Sequence, residues 1–348
     1  MVWVKGELLT SLDAANLDPT AQLSREAQPI LYDRIDWFRR LANHASAKTT
    51  PLIARAASDG KLVWLMLQYV GNCRFEALAN WYTTGFRPVF AGNPDDARKL
   101  IMLTAIAKRI RAMRDSPQQI TLSPVPREDG TSTLLAQAFK RAGWLVFANQ
   151  TSTSWKARVS GLSFDEYWAA RPGQLRSTFK RKNSKADFNV IIYDQFDETA
   201  WEEFEAVYAD SWKPEEGAPA FLRETAVFEG AAGCLRLGVC RLEGVAVAAQ
   251  YWTVEGGTAY IHKLAHRESA RELSPGTILS RALFQHVIDQ DAVDVIDFGT
   301  GDEPYKADWM DASTPLDRID AYNPRRASGL IGAARALISV LVARARGR

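Results

Sequence analysis

The residues best suited to chemistry lie between Gly244 and Met310. The run DFGTGDEPYKADWM places the carboxylates Asp297, Asp302 and Glu303 ahead of a Tyr305-Lys306 pair. Carboxylates accept protons, a phenol donates one, and an ammonium stabilises developing negative charge. The set therefore suits acid–base work on a polar bond. His262 joins the base candidates because an imidazole titrates nearest neutrality. Upstream, Ser274-Pro275-Gly276-Thr277 marks a helix start. Ser274 suits the N-cap, Pro275 the first helical position, and Gly276 leaves the backbone unobstructed. The first-turn N–H groups of Gly276, Thr277 and Ile278 then form an anion site that fits a pyrophosphate. Bland readings stand beside these. A Tyr-Lys pair in a polar loop is usually surface, Asp302-Glu303-Pro304 also reads as a turn, and most Ser-Pro-Gly starts are only caps. His262 and His266 are four residues apart, but TAYIHKLAH reads as a strand. That spacing separates them by about 13 Å, too far for one ion. With no zinc-ligand quartet, phosphate-loop motif or nucleophile elbow, no metal is expected.

Those residues need elements to hold them. Over 29–42 apolar residues recur at helical spacing, with Ile30, Leu31, Ile35, Phe38 and Leu41 on one face. Strand-like runs follow at 51–57, 62–70 and 73–81, joined by the turn signals Asp59-Gly60 and Gly71-Asn72. A helix over 94–114, a strand over 119–123, a helix over 131–142 and a strand over 144–155 complete the first half. The second half repeats the ingredients. Helices are expected over 164–170, 173–185, 198–211 and 218–231, and strands over 188–193, 234–242, 245–254 and 258–266. The 274–289 helix and a 293–298 strand close it. Hairpins that feed a helix and then another strand indicate an α+β chain, built twice as a mixed, mostly antiparallel sheet flanked by helices. The expected segments are a flexible lead-in over 1–27, domains over 28–158 and 159–324, and a basic amphipathic helix over 325–348.

At 348 residues the chain can hold two domains and a large core. Its 47% hydrophobic and 24% charged content excludes a disordered or fibrous protein. Cys73, Cys234 and Cys240 form no disulfide framework. Cys234 and Cys240 flank a strand and stand roughly 20 Å apart, so the three read as free buried thiols in a reducing cytosol. No apolar leader opens the sequence and no window reaches about 18 apolar residues, which points to a cytoplasmic location.

The net charge is +2, which excludes a general nucleic-acid coat. Two segments hide inside that sum. Residues 171–185 carry Arg171, Arg176, Lys180, Arg181, Lys182 and Lys185 and no acid until Asp187. A solvated helix face is the ordinary reading of such a run. Uncompensated cations would also attract a nucleotide, a tRNA or a lipid phosphate. After Asp320 the tail carries Arg325, Arg326, Arg335, Arg344, Arg346 and Arg348 and no acid. Leu330, Ile331, Ala334, Leu337, Ile338 and Leu341 form one helical stripe there. The stripe either docks on the chain's own fold, the favoured reading, or lies on an anionic membrane surface as a peripheral contact.

The motifs VAVAAQYW, AYIHKLAH, SPGTIL and DFGTGDEPYKADWM, with LRSTFKRKNSK upstream, resemble the GNAT acyltransferase superfamily. Within it they are most similar to the FemAB-like branch, which includes BioF-related, cellulose-biosynthesis-type acetyltransferases. The resemblance covers about 164–309 by motif and the first half by element order. It implies two tandem GNAT-like domains, with chemistry mainly in the second, and an N-acyltransferase acting on an amine. It implies a donor, acetyl-CoA, lying along strand 258–266, with the backbone at Leu264 and Ala265 holding the oxyanion. The donor's pyrophosphate would rest on Arg271, Ser274, Pro275, Gly276 and Thr277. Tyr305 would protonate the leaving group, Lys306 would steady negative charge, and Asp297, Asp302, Glu303 or His262 would serve as base. The basic residues Arg176, Lys180, Arg181 and Lys182 would contact donor or substrate. The acceptor implied is a small molecule or a glycan or peptide precursor of the envelope. The loop RELSPGT carries one glycine where the superfamily usually shows Gln/Arg-x-x-Gly-x-Gly/Ala, and FemAB relatives use aminoacyl-tRNA. An aminoacyl-tRNA-dependent transferase is therefore the alternative, and a degenerate binding protein of the same fold the third reading.

Overall fold

The structure is a computed structural model that describes residues 4–13, 17–18, 20–46 and 49–345. Among them the strands are β1 (Lys5–Leu9), β2 (Thr50–Ser58), β3 (Lys61–Tyr69), β4 (Arg74–Ala77), β5 (Val89–Ala91), β6 (Gln119–Pro126), β7 (Leu145–Arg158), β8 (Phe188–Tyr193), β9 (Leu235–Leu242), β10 (Val245–Glu255), β11 (Thr258–His266), β12 (Val295–Thr300) and β13 (Ala312–Tyr322). The α-helices are α1 (Ile35–Arg40), α2 (Asp96–Arg111), α3 (Thr131–Arg141), α4 (Phe164–Ala169), α5 (Gly173–Asn183), α6 (Glu198–Ala209), α7 (Pro219–Ala231), α8 (Pro275–Asp289), α9 (Lys306–Trp309) and α10 (Ala327–Ala345). The chain divides into one unit of Met1–Ser152 with Thr314–Arg348 and a second of Thr153–Ser313.

In the first unit the strands run β1-β2-β3-β4-β6-β13, with β5 on β3. All neighbours are antiparallel except the parallel pair β4/β6. The β2/β3 hairpin closes through Asp59 and Gly60, both at positive φ, as a tight two-residue turn requires. The helix α2 starts on the Asp95 carboxylate, which accepts from the Arg98 N–H at 2.7 Å. It buries Met102, Leu103, Ile106 and Ile110.

In the second unit the order is β8-β9-β10-β11-β12-β7, again antiparallel except for one parallel pair, β11/β12. The two units thus share one plan: an antiparallel meander, one parallel step, and a final antiparallel strand. This is the α+β, twice-built architecture expected from the sequence. On one face α8 covers β9, β10 and β11 and encloses Trp252, Leu279, Leu283, Phe284 and Trp309. Gly238 permits that approach, since a Cβ there would lie 2.9 Å from the Leu279 and Leu283 side chains. On β10 and β11 also packs α6, through Trp201, Phe204 and Tyr251.

Several expectations change. Of the lead-in expected over 1–27, the described residues are built into the fold: β1 pairs with β2, and Leu17 and Leu23 are fully buried. The helix over 29–42 is broken into a 3-10 turn at Leu31–Asp33, then α1, then a π turn at Leu41–Ala45. The strand over 73–81 shortens to β4. The strand β13 had no clear alternation to announce it, because Pro315, Asp317, Arg318 and Asp320 interrupt its apolar positions. It pairs with β6, so residues from 314 onward belong to the first unit and not to a domain over 159–324. Cys73 is exposed, not buried; Cys240 is buried and Cys234 half-buried, and all three are free.

The tail helix forms as expected, but on the other face. Gly329 and Gly332 let it close on β13: a Cβ would meet the Asn323 carbonyl at 2.2 Å and the Tyr322 ring at 2.7 Å. Ala333 is buried on that side, while Leu330, Ile331, Leu337, Ile338, Leu341 and Val342 are all about half exposed. Small residues dock better than the large stripe because they bring the helix axis close to the strand. Arg346 and Arg348 lie outside the described residues. No helix among the described residues is long and apolar enough to cross a membrane.

Candidate active site

The second unit opens where its parallel pair ends. Strands β11 and β12 are in register only over Thr258–Val295, Ala259–Ile296 and Tyr260–Asp297. Beyond Tyr260, β11 keeps only its β10 partner, while β12 continues against β7 as far as Thr300 and Ser154. One edge of Ile261–His266 therefore has no strand partner. The Arg267 N–H donates to the Val247 carbonyl at 2.9 Å. By strand alternation the Ala265 N–H also points to β10, and the Leu264 N–H points to the open edge. Of the two expected oxyanion donors, only Leu264 is so directed.

At the end of β11 a 3-10 turn, Glu268–Leu273, leads into α8. Ser274 stands at the N-cap in the left-handed region, φ 53°, with no side-chain cap bond. Its carbonyl accepts from the Thr277 N–H at 3.0 Å and the Ile278 N–H at 3.4 Å. Two of the three expected anion donors are thus engaged, which leaves the Gly276 N–H. Pro275 takes the first helical position as expected. The helix start is pinned from β10: Gln250 Nε2 donates to Ser280 Oγ at 2.8 Å and to the Gly276 carbonyl at 3.3 Å. Trp252 Nε1 donates to Gln250 Oε1 at 3.0 Å, which fixes the amide's orientation. Arg271 is exposed, 3.7 Å from Glu268.

After β12 the loop is tied at several points. Trp155 Nε1 donates to the Gly301 carbonyl at 2.8 Å, and Thr153 Oγ1 donates to Asp302. Lys306 is only 4% exposed, with Nζ 2.5 Å from the Thr300 carbonyl and 2.9 Å from Glu303 Oε2. Its ammonium therefore braces the loop. The Lys306 bond holds the Glu303 carboxyl below its ordinary range against the opposing effect of burial. Tyr305 is 38% exposed and packs edge-on to Phe298 at 5.7 Å. Burial, helped by the nearby Glu303 charge, pushes its phenol up to about 12, so it stays protonated at neutral pH. Asp297 lies elsewhere: Oδ1 accepts from the Gly299 N–H at 2.8 Å, and Lys156 Nζ is 3.9 Å from Oδ2. It ties β12 to β7. His262 bonds Thr253 Oγ1 at 2.8 Å and stacks on Tyr251. Burial, with the Lys263 charge second, pushes its imidazole down to about 3, which leaves a very weak base.

The loop between α6 and α7 also reaches this region, although no sequence motif marks it. Trp212, half exposed, lies against the His266 ring at 4.4 Å. Lys213 is pushed below the ordinary lysine range by burial and by Lys263 and Lys306, with Glu303 opposing. That places its ammonium in the field of the Tyr305 loop. Lys263 pairs with Glu216, and a cavity of about 570 Å3 opens beside them between Trp201, Tyr208, Lys213, Glu215 and Leu222. The signal available was a Trp-Lys pair in a Pro- and Gly-bearing link between two helices.

The basic run divides in two. Arg171 is buried, donating to the Trp309 carbonyl at 3.0 Å and to Asp311 at 2.5 Å. It is a brace, not part of a cationic surface. Arg176, Lys180 and Arg181 on α5 are exposed, and Lys182 donates to the Glu272 carbonyl, beside the start of α8. Sequence spacing could not tell these cases apart. Among the described residues, Glu229, Cys234 and Glu255 bring donor atoms within 4.8 Å of one another.

Residues 163–307 match a family model described as an acetyltransferase (GNAT) domain. No curated protein matches the chain. Among solved structures, FemX is similar at 12% identity and a TM-score of 0.61, covering 90% of this chain and 96% of its own. A tandem GNAT protein from the clavulanic acid biosynthesis pathway is similar at 11% identity and a TM-score of 0.52, covering 91% and 98%. A C-terminal domain ascribed to a lysylphosphatidylglycerol synthetase of Agrobacterium fabrum reaches 14% identity and a TM-score of 0.51, covering 79% and 85%. Residues 163–307 thus match an acetyltransferase (GNAT) domain model, in a chain whose fold is similar to those of FemX and of a tandem GNAT protein.

Proposed function

We propose that the second unit moves an acetyl group from acetyl-CoA to an amine on a small molecule or an envelope glycan or peptide precursor, in the cytoplasm. The observation that carries this reading is the parting of β11 and β12, which leaves a free strand edge between the α8 start and the Tyr305 loop. An acyl carbonyl laid along that edge would receive the Leu264 N–H as the oxyanion forms. The acceptor amine attacks the carbonyl carbon after losing its proton to a base. The C–S bond then breaks, and the thiolate takes a proton from the Tyr305 hydroxyl. Lys213 is the base whose shift runs toward neutrality, and Glu303 is ionised but weakly basic. Lys306 holds Tyr305 and Glu303 in place. The cavity beside Lys213 would take the acceptor.

One observation favours a second donor. With Thr277 and Ile278 bonded to Ser274, little remains to cradle a pyrophosphate, while Arg176, Lys180 and Arg181 offer exposed charge to a polynucleotide. Aminoacyl-tRNA is that donor. Calorimetric titration separates the two: micromolar binding of acetyl-CoA supports the leading reading, and binding of aminoacyl-tRNA alone replaces it. Silence with both would sink acyl transfer. Tyr305→Phe should lower turnover at least tenfold with an unchanged melting temperature, and full turnover would remove Tyr305 from the site.

For the tail, we infer contact with the anionic inner face of a membrane. The half-exposed apolar stripe of α10 and the acid-free, arginine-bearing sequence around it support this. Co-sedimentation with phosphatidylglycerol vesicles should fail when Leu337, Ile338 and Leu341 are changed to serine. Equal binding by that variant would end the idea.

A further inference from the structure

The first unit carries an open cavity of about 950 Å3 for which acyl transfer has no use. Its wall is formed by the turn carrying Ile30 and Asp33, by β5, by the start of α2 and by the first turns of α3. Phe90, Leu100 and Leu134 give it apolar surface. The charged residues of the wall are matched, with one exception. Arg87 pairs with Asp129 at 2.7 Å, and Lys99 with Asp96 at 3.1 Å. Asp33 is 6% exposed, and its Oδ1 has no hydrogen-bond partner. A buried carboxyl oxygen without a partner costs stability, and a bound hydrogen-bond donor would recover that cost.

We propose that this cavity binds a primary amine, with the ligand's ammonium on the Asp33 carboxylate and its apolar body against Phe90, Leu100 and Leu134. The one unmatched group is an acid, so the complementary charge is positive. The apolar wall excludes a small hydrated cation in favour of an ammonium carried on carbon. The volume lies in the range of small-molecule sites. The site belongs to the first unit alone, so it stands or falls independently of the acyl-transfer reading.

The charged groups that face Asp33 are Arg87 and Arg34, which favour its ionised form, and Asp129, which opposes it. Burial outweighs them all and raises the carboxyl to about 7. Ligand binding to the ionised form is therefore linked to pH. Between about pH 6 and pH 8 the ionised fraction rises from about one-tenth to about nine-tenths, while an alkylammonium stays charged. Affinity should climb about tenfold across that interval.

The test is calorimetry on the full chain with 2-phenylethylamine as probe, and with 2-phenylethanol and 3-phenylpropionate as its neutral and anionic counterparts. The amine is expected to bind best, about tenfold tighter at the higher pH, and at least tenfold more weakly to Asp33→Asn. Leu134→Trp, which fills the cavity and leaves the carboxyl alone, should also abolish binding. It keeps the test decisive should Asp33→Asn fail to fold. The proposal is overturned by no amine binding at millimolar concentration, by equal affinity for the three probes, or by amine binding that either folded variant leaves intact.

Discussion

Replacing Lys306 by methionine separates bracing from catalysis. The ammonium is buried, donates to the Thr300 carbonyl at 2.5 Å, pairs with Glu303 at 2.9 Å and lies 5.5 Å from the Phe298 ring centre. Methionine keeps most of the aliphatic stem, so little cavity is created. What disappears is one charge-assisted bond to a backbone carbonyl, worth about 1.5–3 kcal/mol. Glu303 is more than half exposed, so releasing it adds at most about 1 kcal/mol. The loss should total about 2–4 kcal/mol in urea unfolding at neutral pH. Turnover should also fall, at a temperature where both proteins remain folded, because the Tyr305 loop loses its strut. A stability change below about 0.5 kcal/mol would refute the reasoning, since a buried strut cannot be removed at that cost. A full loss of stability with unchanged turnover would keep the strut and take the loop out of the chemistry.

Arg171→Gln should destabilise by about 1.5–3 kcal/mol in the same assay, because it removes charge-assisted bonds to the Trp309 carbonyl and Asp311, which keep only the Tyr167 hydroxyl and the Arg158 N–H. Lys180→Gln and Arg181→Gln should stay within about 0.5 kcal/mol while weakening donor binding, and the reverse ranking would mean the division of the basic run is wrong. Asp33 titrates near 7 in the folded chain against 3.8 for an ordinary aspartate, so the unfolded chain ionises first and stability falls as pH rises between those values. From about pH 5 to pH 8 this costs roughly 2–3 kcal/mol, which Asp33→Asn should remove; an unchanged pH slope in urea titrations counts against the buried carboxyl. Gly230→Ala would set a Cβ 2.6 Å from the Phe196 backbone nitrogen, so a melting temperature several degrees lower is expected, and none lower would mean α7 can shift freely.

Local pattern announced much of the fold. The strands β8 and β11 match the runs read from apolar and β-branched spacing residue for residue, and the Glu243-Gly244 turn sets the β9/β10 hairpin at positive φ. The helix start at Pro275 and the DFGTGDEPYK loop after β12 were also legible, because turn and cap signals are local. Pairing and burial are not. The sequence named Lys306, Asp297 and His262 together as polar residues near one motif. Only the fold shows Lys306 bonded to a carbonyl, Asp297 turned to β7 and His262 held neutral beneath α6. Lys213, distant from that motif in sequence, comes into its electrostatic field through the packing of α6 on β10 and β11. The tail makes the same point in reverse. Its periodicity fixed that a helix would form and which residues share a face, but the two glycines opposite, by allowing close approach to β13, decided which face docks. Spacing along a chain determines neighbours within an element, and shape complementarity between elements determines everything else.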